Sequence, residues 1–441
     1  MAPTQDKPLR VLIAGAGIGG LSLAIFLTRA KIDYVVLERS ASLKTIGGAL
    51  GLSGQALRVF DQIGIYDELA AVSKPLTSIE YYNQNKEKVG QLDGSLWEKR
   101  YGYGNRVFPR NELMKVLLRH VPPENIQWGK SIKSTAQNEE GVSVVCTDAT
   151  HFVGDVLIGS DGTYSAVRRS LYKNMQEKGQ RLGKGDLEHL RFDQFAILGI
   201  TSDISDEWPT LKEPKGAMEI IVASNGSPYN VYAIPIPGGR LNWMVGCRFH
   251  IQPEDQDEFR FSNWDSDSAK AILKEIENLP ITIGGTIGNL LDKLFHVWYD
   301  GRTCLMGDAV HKTLPAGGQG ANQTILDAVC LTNLLYELPS TSTEDINKMF
   351  ARYREIRFST AKQAVGDSAL VTDMISKQGL YGDLLRAVVL GWMPSFITTR
   401  IMDALAGERP LLTFEPAIPD KGEFKNTSKA HTIDGKHMST I

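Results

Sequence analysis

The feature that most constrains the fold is a glycine-rich loop between an apolar run at 9–14 and a helix-forming run at 21–30. The first run has the pattern of a buried parallel strand, and the second has apolar residues at helical spacing. Between them, Gly15 permits a tight turn, Gly17 lets the backbone approach a pyrophosphate, and Gly20 lets strand and helix pack closely. A phosphate bound there would lie at the helix N-terminus, where free amides favour negative charge. The loop therefore predicts a Rossmann-like, dinucleotide-binding unit.

An acidic residue at the end of the next strand supports the same interpretation. Residues 34–37 form a second apolar run that ends at Glu38, about 20 residues beyond the first glycine. At this distance an acidic side chain accepts hydrogen bonds from an adenosine ribose. Arg39, the next residue, is assigned to the same cofactor site. A glycine turn that arose by chance would require neither the strand, the helix nor Glu38.

Length, charge and cysteine usage limit the class of protein. At 441 residues the chain is longer than a single core usually supports, so two closely packed domains are expected. The net charge is −3, and no dense Lys/Arg cluster with interleaved aromatic residues predicts a nucleic acid as partner. Four cysteines without CxxC spacing are expected to be buried free thiols, not disulfides or metal ligands: Cys146, Cys247, Cys304 and Cys330.

Hydropathy predicts a cytoplasmic protein without a membrane span. The residues before Arg10 are polar, so no secretory signal is expected, and no run approaches the roughly 18 apolar residues of a membrane helix. The stretch 384–397 is apolar but is interrupted by Arg386 and Pro394. It is interpreted as a core or substrate-cavity helix, with peripheral contact to a membrane surface as the alternative. Residues 420–441 are polar and are predicted to be a disordered tail.

A change of composition predicts a second, β-rich domain. A glycine-dense loop at 46–53 indicates backbone pressed against something flat or bulky. From about 190 to 280 the chain consists largely of β-rich runs. Two of these runs, 229–236 and 241–248, are separated by Pro-Gly-Gly-Arg, which is typical of a hairpin turn. Consecutive strands joined in this way predict an antiparallel sheet that forms one wall of a pocket.

Other patterns predict local elements. Residues 79–92 are expected to form a hairpin, and 142–147 and 151–158 a pair of strands. Apolar residues at helical spacing predict long helices at 323–335 and at about 344–375.

Two motifs far apart in the chain carry a family resemblance. Residues 159–168, Gly-Ser-Asp-Gly-Thr-Tyr-Ser-Ala-Val-Arg, resemble the DG motif of single-component (group A) FAD-dependent monooxygenases. Residues 307–327, which begin with Gly-Asp, resemble the GD motif of the same family. With the first glycine loop, Glu38 and Arg110, these motifs stand in the order found in that family. The resemblance covers about residues 9–375, and the most similar members are fungal biosynthetic enzymes of the aromatic hydroxylase and epoxidase type.

The resemblance implies an α/β fold. A Rossmann-like FAD-binding domain would carry an inserted antiparallel β-sheet substrate domain and C-terminal helices. The expected FAD-binding domain is discontinuous, at 1–75, 100–185 and 290–375. The substrate domain would comprise 76–99 and 186–289, followed by a helical segment at 376–419 and the tail at 420–441.

The resemblance also implies which residues contact FAD. Asp308 is expected to accept a hydrogen bond from a ribityl hydroxyl, because a carboxylate is an acceptor and a sugar alcohol is a donor. The amides of 318–322 open a helix and would face the pyrimidine edge of the flavin. Arg110 is implied near the diphosphate or the ribityl chain. The remaining implied contacts are Gly48, Ala49, Asp161, Gly162, Pro315, Gly318, Gly320, Ala321 and Asn322.

Some positions stay open. His311 either lies near the flavin or is a packed or helix-capping histidine. The family usually has Pro-Asn after its second glycine-rich loop, whereas this chain has Gly54-Gln55, and neither residue is assigned a role.

Monooxygenation is the reaction that the resemblance implies. NADPH or NADH would reduce FAD, O2 would form a flavin C4a-hydroperoxide, and one oxygen atom would pass to a small aromatic or isoprenoid substrate, in secondary metabolism. The chain has no second dinucleotide fingerprint, as in the family, so the choice between NADPH and NADH stays open. Tyr232 and Trp243 of the predicted hairpin are candidate substrate contacts. No residue is identified as a general base, and no metal site is predicted.

Other functions compete with this one. The same fold serves flavoenzymes that do not oxygenate their substrates, such as reductases and oxidases. Flavin halogenases are disfavoured, because the chain has no Trp-x-Trp-x-Ile-Pro sequence. An FAD-stabilised binding protein would oxidise no NAD(P)H with any ligand.

Overall fold

Two large sheets organise the computed structural model of the chain. It describes residues 9–43, 48–188, 192–224, 227–248, 286–290, 293–392, 399–400, 402–403 and 406–428. Within these ranges the strands are β1 (Arg10–Ala14), β2 (Asp33–Glu38), β3 (Ala49–Leu52), β4 (Lys74–Tyr82), β5 (Lys88–Asp93), β6 (Arg106–Pro109), β7 (Ile126–Trp128), β8 (Ile132–Gln137), β9 (Val142–Cys146), β10 (His151–Gly154), β11 (Val156–Gly159), β12 (Phe192–Ile200), β13 (Gly216–Ile221), β14 (Tyr229–Ile236), β15 (Arg240–Arg248), β16 (Thr286–Leu290), β17 (Lys293–Leu294), β18 (Tyr299–Asp300), β19 (Thr303–Leu305) and β20 (His311–Lys312).

Helices connect and cover these strands. The α-helices are α1 (Ile18–Ala30), α2 (Gly54–Gln62), α3 (Tyr66–Ala71), α4 (Trp97–Tyr101), α5 (Arg110–Arg119), α6 (Ala166–Glu177), α7 (Lys184–Leu187), α8 (Gly320–Tyr336), α9 (Thr343–Ser376) and α10 (Gly379–Arg386). Short 3-10 turns lie at Pro123–Asn125, Pro209–Lys212, Gly307–Ala309 and Pro315–Gly317, and a π-helical turn lies at Ala387–Trp392. The predicted long helices are confirmed as α8 and α9.

The first sheet has the predicted Rossmann-like arrangement. Its strand order is β18-β19-β11-β1-β2-β7, and β1 runs parallel to both β2 and β11. Every residue of β11 is buried, as expected of a parallel strand that is covered on both faces. Helix α1 packs against α5 and α8. The main apolar core therefore lies around this sheet and these helices.

The second sheet carries the predicted hairpins. Among the described residues its order is β16-β12-β15-β14-β13-β4-β6-β3, with β5 paired to β4. The hairpins β4/β5 and β14/β15 are confirmed, and the strand pairs are antiparallel except for β4 and β13, which run parallel. Strands β3 and β6 belong to this sheet, although both lie in segments that were assigned to the FAD-binding domain. The division into domains stays a prediction, but the sheet extends beyond the segments expected to form it.

One predicted strand proves to be two. Residues 151–154 pair with β9, whereas 156–159 pair with β1 in the first sheet. The change of partner occurs at Asp155, whose backbone N–H donates to the Arg10 carbonyl and whose carboxylate accepts the Arg10 N–H, both at 2.8 Å. This two-way bond to the beginning of β1 ends one pairing and starts the other.

The C-terminal segment combines helix with irregular chain. Among the described residues of 376–419, helix reaches Trp392 and is present again at 399–400, 402–403 and 406, whereas 407–419 contain none. Residues 420–428, which were expected to be disordered, pack against the rest of the molecule: Asp420 pairs with the fully buried Arg409, and Phe424 makes an edge contact with Tyr101. The reason is that Arg409 needs acceptors where water is excluded. Residues 429–441 lie outside the described ranges.

Cysteines and apolar surface complete the fold. Cys146, Cys304 and Cys330 are buried free thiols, as predicted, while the side chain of Cys247 lies outside the described residues. In the parts of the chain that the structure covers, no helix is long and apolar enough to cross a membrane. Leu384 is exposed, but 393–397 lie outside the described residues, so contact of this stretch with a membrane surface stays a prediction.

Candidate functional site

In the first glycine loop, Gly15 and Gly20 pack closely against neighbouring backbone, whereas Gly17 faces open space. Gly15 has a φ of +97°, and its N–H donates to the Leu37 carbonyl at 2.8 Å, which joins the loop to the end of β2. A Cβ on Gly20 would lie 1.9 Å from the Gly15 carbonyl oxygen, so a side chain there would separate helix from strand. At Gly17 no atom lies within 4 Å of the corresponding position. The backbone is therefore open to a ligand at the N-terminus of α1.

A cavity of about 680 Å³ opens at this loop. It brings together seven of the predicted cofactor residues: Gly15, Gly17, Glu38, Arg39, Arg110, Asp161 and Gly162. Lys130 and Arg169 also line it, so the cavity has four cationic side chains close to the helix N-terminus. This charge complements a diphosphate.

Glu38 is held at the wall of the cavity by backbone donors. Its Oε2 accepts the N–H of Ala16 and its Oε1 accepts the N–H of Ser40, both at 2.8 Å. Because a carboxylate has about four acceptor positions, lone pairs remain for sugar hydroxyls. The geometry agrees with the expected ribose contact.

Asp161 has a local role that the sequence did not reveal. Its Oδ1 accepts the hydroxyl of Ser165 at 2.5 Å, and its Oδ2 accepts the N–H of Ala166 at 2.6 Å, so the carboxylate binds the first turn of α6. Burial raises the pKa of Asp161, while these hydrogen bonds oppose the rise. Gly162 has a φ of +80°, and no atom lies within 4 Å of its missing Cβ. Asp161 therefore shapes the turn, and Gly162 leaves space beside the cavity.

Arg168 joins the two family motifs. Its Nη1 donates to the Ala309 carbonyl at 2.6 Å, and its Nη2 donates to the Thr163 carbonyl at 2.7 Å. The guanidinium also lies over the Phe295 ring, 4.0 Å from its centroid. Burial lowers the pKa of this arginine. A single buried cation thus fixes the distance between the loops at 159–168 and 307–309.

Asp308 and the loop after it form the second part of the site. Asp308 keeps 34% of its side chain exposed, accepts a hydrogen bond from Thr163 Oγ1 at 3.3 Å, and lies 3.4 Å from Lys312 Nζ. Gly318 has a φ of +61° and open space around it. Helix α8 begins at Gly320, and the other predicted contacts Pro315 and Ala321 lie in the same loop and first turn. The Asp308 carboxylate lies near the beginning of α8, because a Cβ on Gly320 would lie 3.9 Å from Asp308 Oδ1. Its contact with FAD stays a prediction.

Behind this loop lies a fully buried ionic network. Asp327 accepts hydrogen bonds from the Gly307 N–H at 3.0 Å, from His311 Nε2 at 2.6 Å and from Arg357 Nε at 2.8 Å. Arg357 also donates to the side chain of Gln323 at 2.6 Å. Burial alone would raise the pKa of Asp327, but His311 and Arg357 lower it to about 2. His311 is therefore a packed histidine of this network, which supports the Gly307 turn from behind.

Asn322 connects the glycine-rich loop at 46–53 to the 315–322 loop. Its Oδ1 accepts the N–H of Ser53 at 3.0 Å, while its Nδ2 donates to the carbonyls of Gly318 at 3.1 Å and Gly51 at 3.3 Å. The expected cofactor contact was through the backbone amides of 318–322, and it stays a prediction, while these bonds engage the side-chain amide of Asn322. Asn322 is thus a bridge between β3 and the 315–322 loop.

Known proteins share this architecture. The sequence profile of a family described as "FAD binding domain" matches residues 8–368. The chain belongs to this FAD-binding family. The FAD-dependent monooxygenase atmM of Aspergillus flavus is 26% identical over 429 residues, which cover 92% of this chain and 87% of that protein. The FAD-dependent monooxygenase ausM of Penicillium brasilianum is also 26% identical, and the alignment covers 99% of this chain and 94% of that protein.

Solved structures agree with the family. Klebsiella pneumoniae HpxO complexed with FAD and uric acid has a TM-score of 0.70 at 21% identity, covering 90% of this chain and 96% of that chain. A salicylate hydroxylase substrate complex has a TM-score of 0.68 at 19% identity, covering 93% and 99%. The protein is an FAD-dependent monooxygenase with the flavin hydroxylase fold.

The residues of this monooxygenase fit FAD. The cavity at Gly17 and Glu38 has the helix N-terminus, cations and carboxylate that an adenosine diphosphate requires. Asp308 and the amides that begin α8 supply an acceptor and donors farther along. Thr163 and Arg168 hydrogen-bond to Asp308 and to the Ala309 carbonyl, so the motif at 159–168, part of which lines the cavity, is bound directly to the 307–309 turn.

The two predicted substrate residues of the monooxygenase lie on opposite faces of the second sheet. Tyr232 pairs with Met244, whereas Trp243 pairs with Ala233, and adjacent residues of a strand point to opposite faces. Tyr232 is buried in an apolar cluster against which Ala316, in the turn at Pro315–Gly317, is packed. Trp243 instead covers Gly199, where a Cβ would lie 2.6 Å from the indole. Tyr232 thus stays a substrate-contact prediction, while Trp243 lies on the other face of the sheet.

Several residues of this site were not found from the sequence. Arg169, Lys130 and Arg357 come from segments with no motif of their own, and Arg168 was part of a motif but was assigned no role. Asn242, whose Oδ1 accepts the N–H of Ala49 at 2.9 Å, lies in a predicted strand and was assigned no role either. Only Asn242 left a signal, because asparagine is depleted in strands and here interrupts an apolar run.

Proposed function

We propose that this FAD-dependent monooxygenase uses NADPH or NADH to insert one oxygen atom from O2 into a small aromatic or isoprenoid substrate, in secondary metabolism. The observation that carries the proposal is the apolar cluster that faces the 315–318 loop. Its buried members are Tyr81, Ile220, Val222, Tyr232, Met374 and Ile375, and Met218, Ile234, Met244, Ala316 and Leu385 pack against them.

The composition of this cluster supports the substrate class. Aliphatic, methionine and tyrosine side chains bind planar or branched apolar molecules through contact area, and methionine adapts its shape. One structural neighbour is complexed with FAD and uric acid, and another is a salicylate hydroxylase substrate complex. The curated relatives are fungal FAD-dependent monooxygenases, which supports a role in secondary metabolism.

In this proposal the cofactor and the chain have different tasks. Bound FAD supplies the redox chemistry and the activation of O2. The chain holds the cofactor with the glycine-rich loops at 15–20 and 315–322. The apolar cluster excludes water from the place where the substrate binds. NADPH or NADH is proposed as the electron donor because the monooxygenase family that the chain resembles uses one of them. Like that family, the chain has no second dinucleotide fingerprint, so the choice between the two stays open.

The experiment is a substrate screen under oxygen-18. Purified protein with FAD is supplied with NADPH or NADH and with phenolic, indolic or prenylated compounds. We expect nucleotide oxidation that depends on the compound, and a product that gains one labelled oxygen atom by mass spectrometry. A product that gains two hydrogen atoms, or peroxide formation without any labelled product, would instead favour the reductase or the oxidase alternative.

A further inference from the structure

Strand β3 is held by two buried asparagines from different parts of the molecule. At its beginning the N–H of Ala49 donates to Asn242 Oδ1 at 2.9 Å, and Asn242 is 3% exposed. At its end the N–H of Ser53 donates to Asn322 Oδ1 at 3.0 Å. Asn322 lies in the first turn of α8, whereas Asn242 lies in β15 of the second sheet. The strand therefore joins the substrate-facing sheet to the 315–322 loop.

The contact at Asn242 is unusually close. A Cβ on Gly48 would lie 2.6 Å from Asn242 Oδ1 and 3.4 Å from Leu198 Cδ1. Gly48 does not have a left-handed φ, so its backbone conformation does not require glycine. What requires glycine at position 48 is the amide of Asn242 packed against it.

A second hydrogen bond links the Gly48 backbone to the wall of the FAD cavity. The Gly48 carbonyl accepts the N–H of Arg110 at 3.0 Å, at the first residue of α5. Arg110 lines the cavity that holds Glu38 and Arg39. A shift of the backbone at Gly48 would therefore move the residue that begins α5 at the cavity wall.

We propose that Asn242 is a positioning residue: a side chain of the substrate-facing sheet that fixes the Gly48–Ala49 backbone, and through it Arg110, against bound FAD. Asn242 does not need to touch the cofactor for this role. Its side-chain oxygen satisfies the partly buried N–H of Ala49, and the loss of such a bond destabilises the position of this backbone. The asparagine thus explains both the glycine at 48 and a polar residue within an apolar strand.

Two variants and two matched controls test the proposal. Asn242→Ala removes the side-chain oxygen that accepts the Ala49 N–H. Gly48→Ala adds a Cβ that pushes this oxygen away, while residue 242 stays asparagine. Asn230→Ala is the control for the first: Asn230 is also 3% exposed in the same sheet, but its amide donates to Ser376 Oγ at 3.1 Å. Gly104→Ala is the control for the second, because Gly104 lies outside the predicted cofactor loops and the atom nearest to a Cβ there is Glu98 Cβ at 3.8 Å.

The readouts are FAD affinity of the apo-protein and the visible absorption and circular dichroism of the bound flavin. We expect Asn242→Ala and Gly48→Ala to weaken FAD binding by about tenfold or more and to shift the flavin spectrum. The two controls should keep both properties of the unchanged protein, even where their thermal unfolding is lowered. The inference is overturned if Asn242→Ala and Gly48→Ala bind FAD as tightly as their controls and leave the flavin spectrum unchanged.

Discussion

Asp308 is the residue on which cofactor retention is expected to depend. Its carboxylate is one-third exposed and lies beside the first turn of α8, so a bound ribityl hydroxyl would donate to it. We predict that Asp308→Ala folds but weakens FAD binding by one to two orders of magnitude, since a charge-assisted hydrogen bond contributes about 1.5–3 kcal/mol. The measurement is a titration of apo-protein with FAD, followed by flavin fluorescence.

A carboxylate elsewhere on the surface gives the control. Asp206 has a side chain that is 97% exposed and pairs with Lys212. Asp206→Ala should bind FAD like the unchanged protein. If Asp308→Ala also retains its full affinity, the ribityl contact is wrong.

Asp327 is a residue whose importance is structural. Asn in its place would leave Arg357 as a buried cation without its closest anion, which typically costs about 3–5 kcal/mol. We predict such a loss in the free energy of unfolding of Asp327→Asn at neutral pH, measured with urea. Thr332→Val, a fully buried change in the same helix, removes only a bond to the Ala328 carbonyl and should cost less than about 1.5 kcal/mol.

The same residue predicts a pH dependence. Its pKa is lowered in the folded protein, from 3.8 to about 2, by His311 and Arg357 against the effect of burial. A lowered pKa stabilises the fold above the unfolded value, and this contribution is lost as the pH falls toward the folded value. The difference in unfolding free energy between the unchanged protein and Asp327→Asn should therefore narrow from about pH 5 to about pH 3. A difference that stays constant over this range would contradict the assignment.

Among the elements, the contact between α1 and α8 determines how closely the two glycine loops approach. A Cβ on Gly19 would lie 2.2 Å from Thr324 Cγ2. Alanine in a helix gains about 1 kcal/mol over glycine, but overpacking costs about 1–3 kcal/mol, so the clash should decide the sign. We predict that Gly19→Ala lowers the free energy of unfolding of the FAD-free protein, measured with urea.

A compensating change isolates the cause. Thr324→Ser removes the methyl group but keeps the hydroxyl that donates to the Gly320 carbonyl at 2.8 Å. The double variant should recover most of the stability that Gly19→Ala loses. If it is no more stable than Gly19→Ala alone, contact between these helices does not explain the glycine.

At the scale of the whole molecule, the C-terminal segment binds distant parts of the fold together. Arg409 is fully buried and donates to Asp420 at 2.9 Å and to the Phe424 carbonyl at 2.6 Å. In the same segment Glu415 pairs with Arg29, whose side chain is 45% exposed. The two arginines therefore make the same kind of bond in opposite surroundings.

This contrast gives a prediction for stability. Arg409→Ala removes a fully buried cation that donates to the Ala406 and Phe424 carbonyls and to Asp420, whose side chain is 26% exposed, and we expect it to cost about 1.5–3 kcal/mol. Arg29→Ala removes a surface ion pair and should cost at most about 1 kcal/mol. Urea unfolding gives the free energies, and limited proteolysis at 406–428 shows whether the segment has detached. Equal losses for the two variants would mean that the burial of Arg409 does not stabilise the fold.

The elements that the sequence predicted well are those encoded within a short window. The strand, glycine loop and helix at 9–30, the acidic residue at 38 and the two hairpins were all correct, since spacing and turn chemistry act over a few residues. The single strand predicted at 151–158 was wrong. An apolar run does not show that the chain changes its pairing partner at Asp155, from β9 to β1. The FAD-binding family follows from such local signals, because a phosphate-binding loop needs glycine at fixed spacing.

Only the tertiary structure decided how these pieces meet. Asn242 and Ala49 are separated by 193 positions, and Arg168 and Ala309 by 141. Tyr232 and Trp243 were both predicted to be substrate contacts, but the register of β14 and β15 places them on opposite faces. Periodicity specifies which residues share a face of one element, whereas register and packing between distant segments specify which face meets the flavin. The sequence therefore determined the cofactor and the fold, and the structure determined which side chains hold the cofactor site in place.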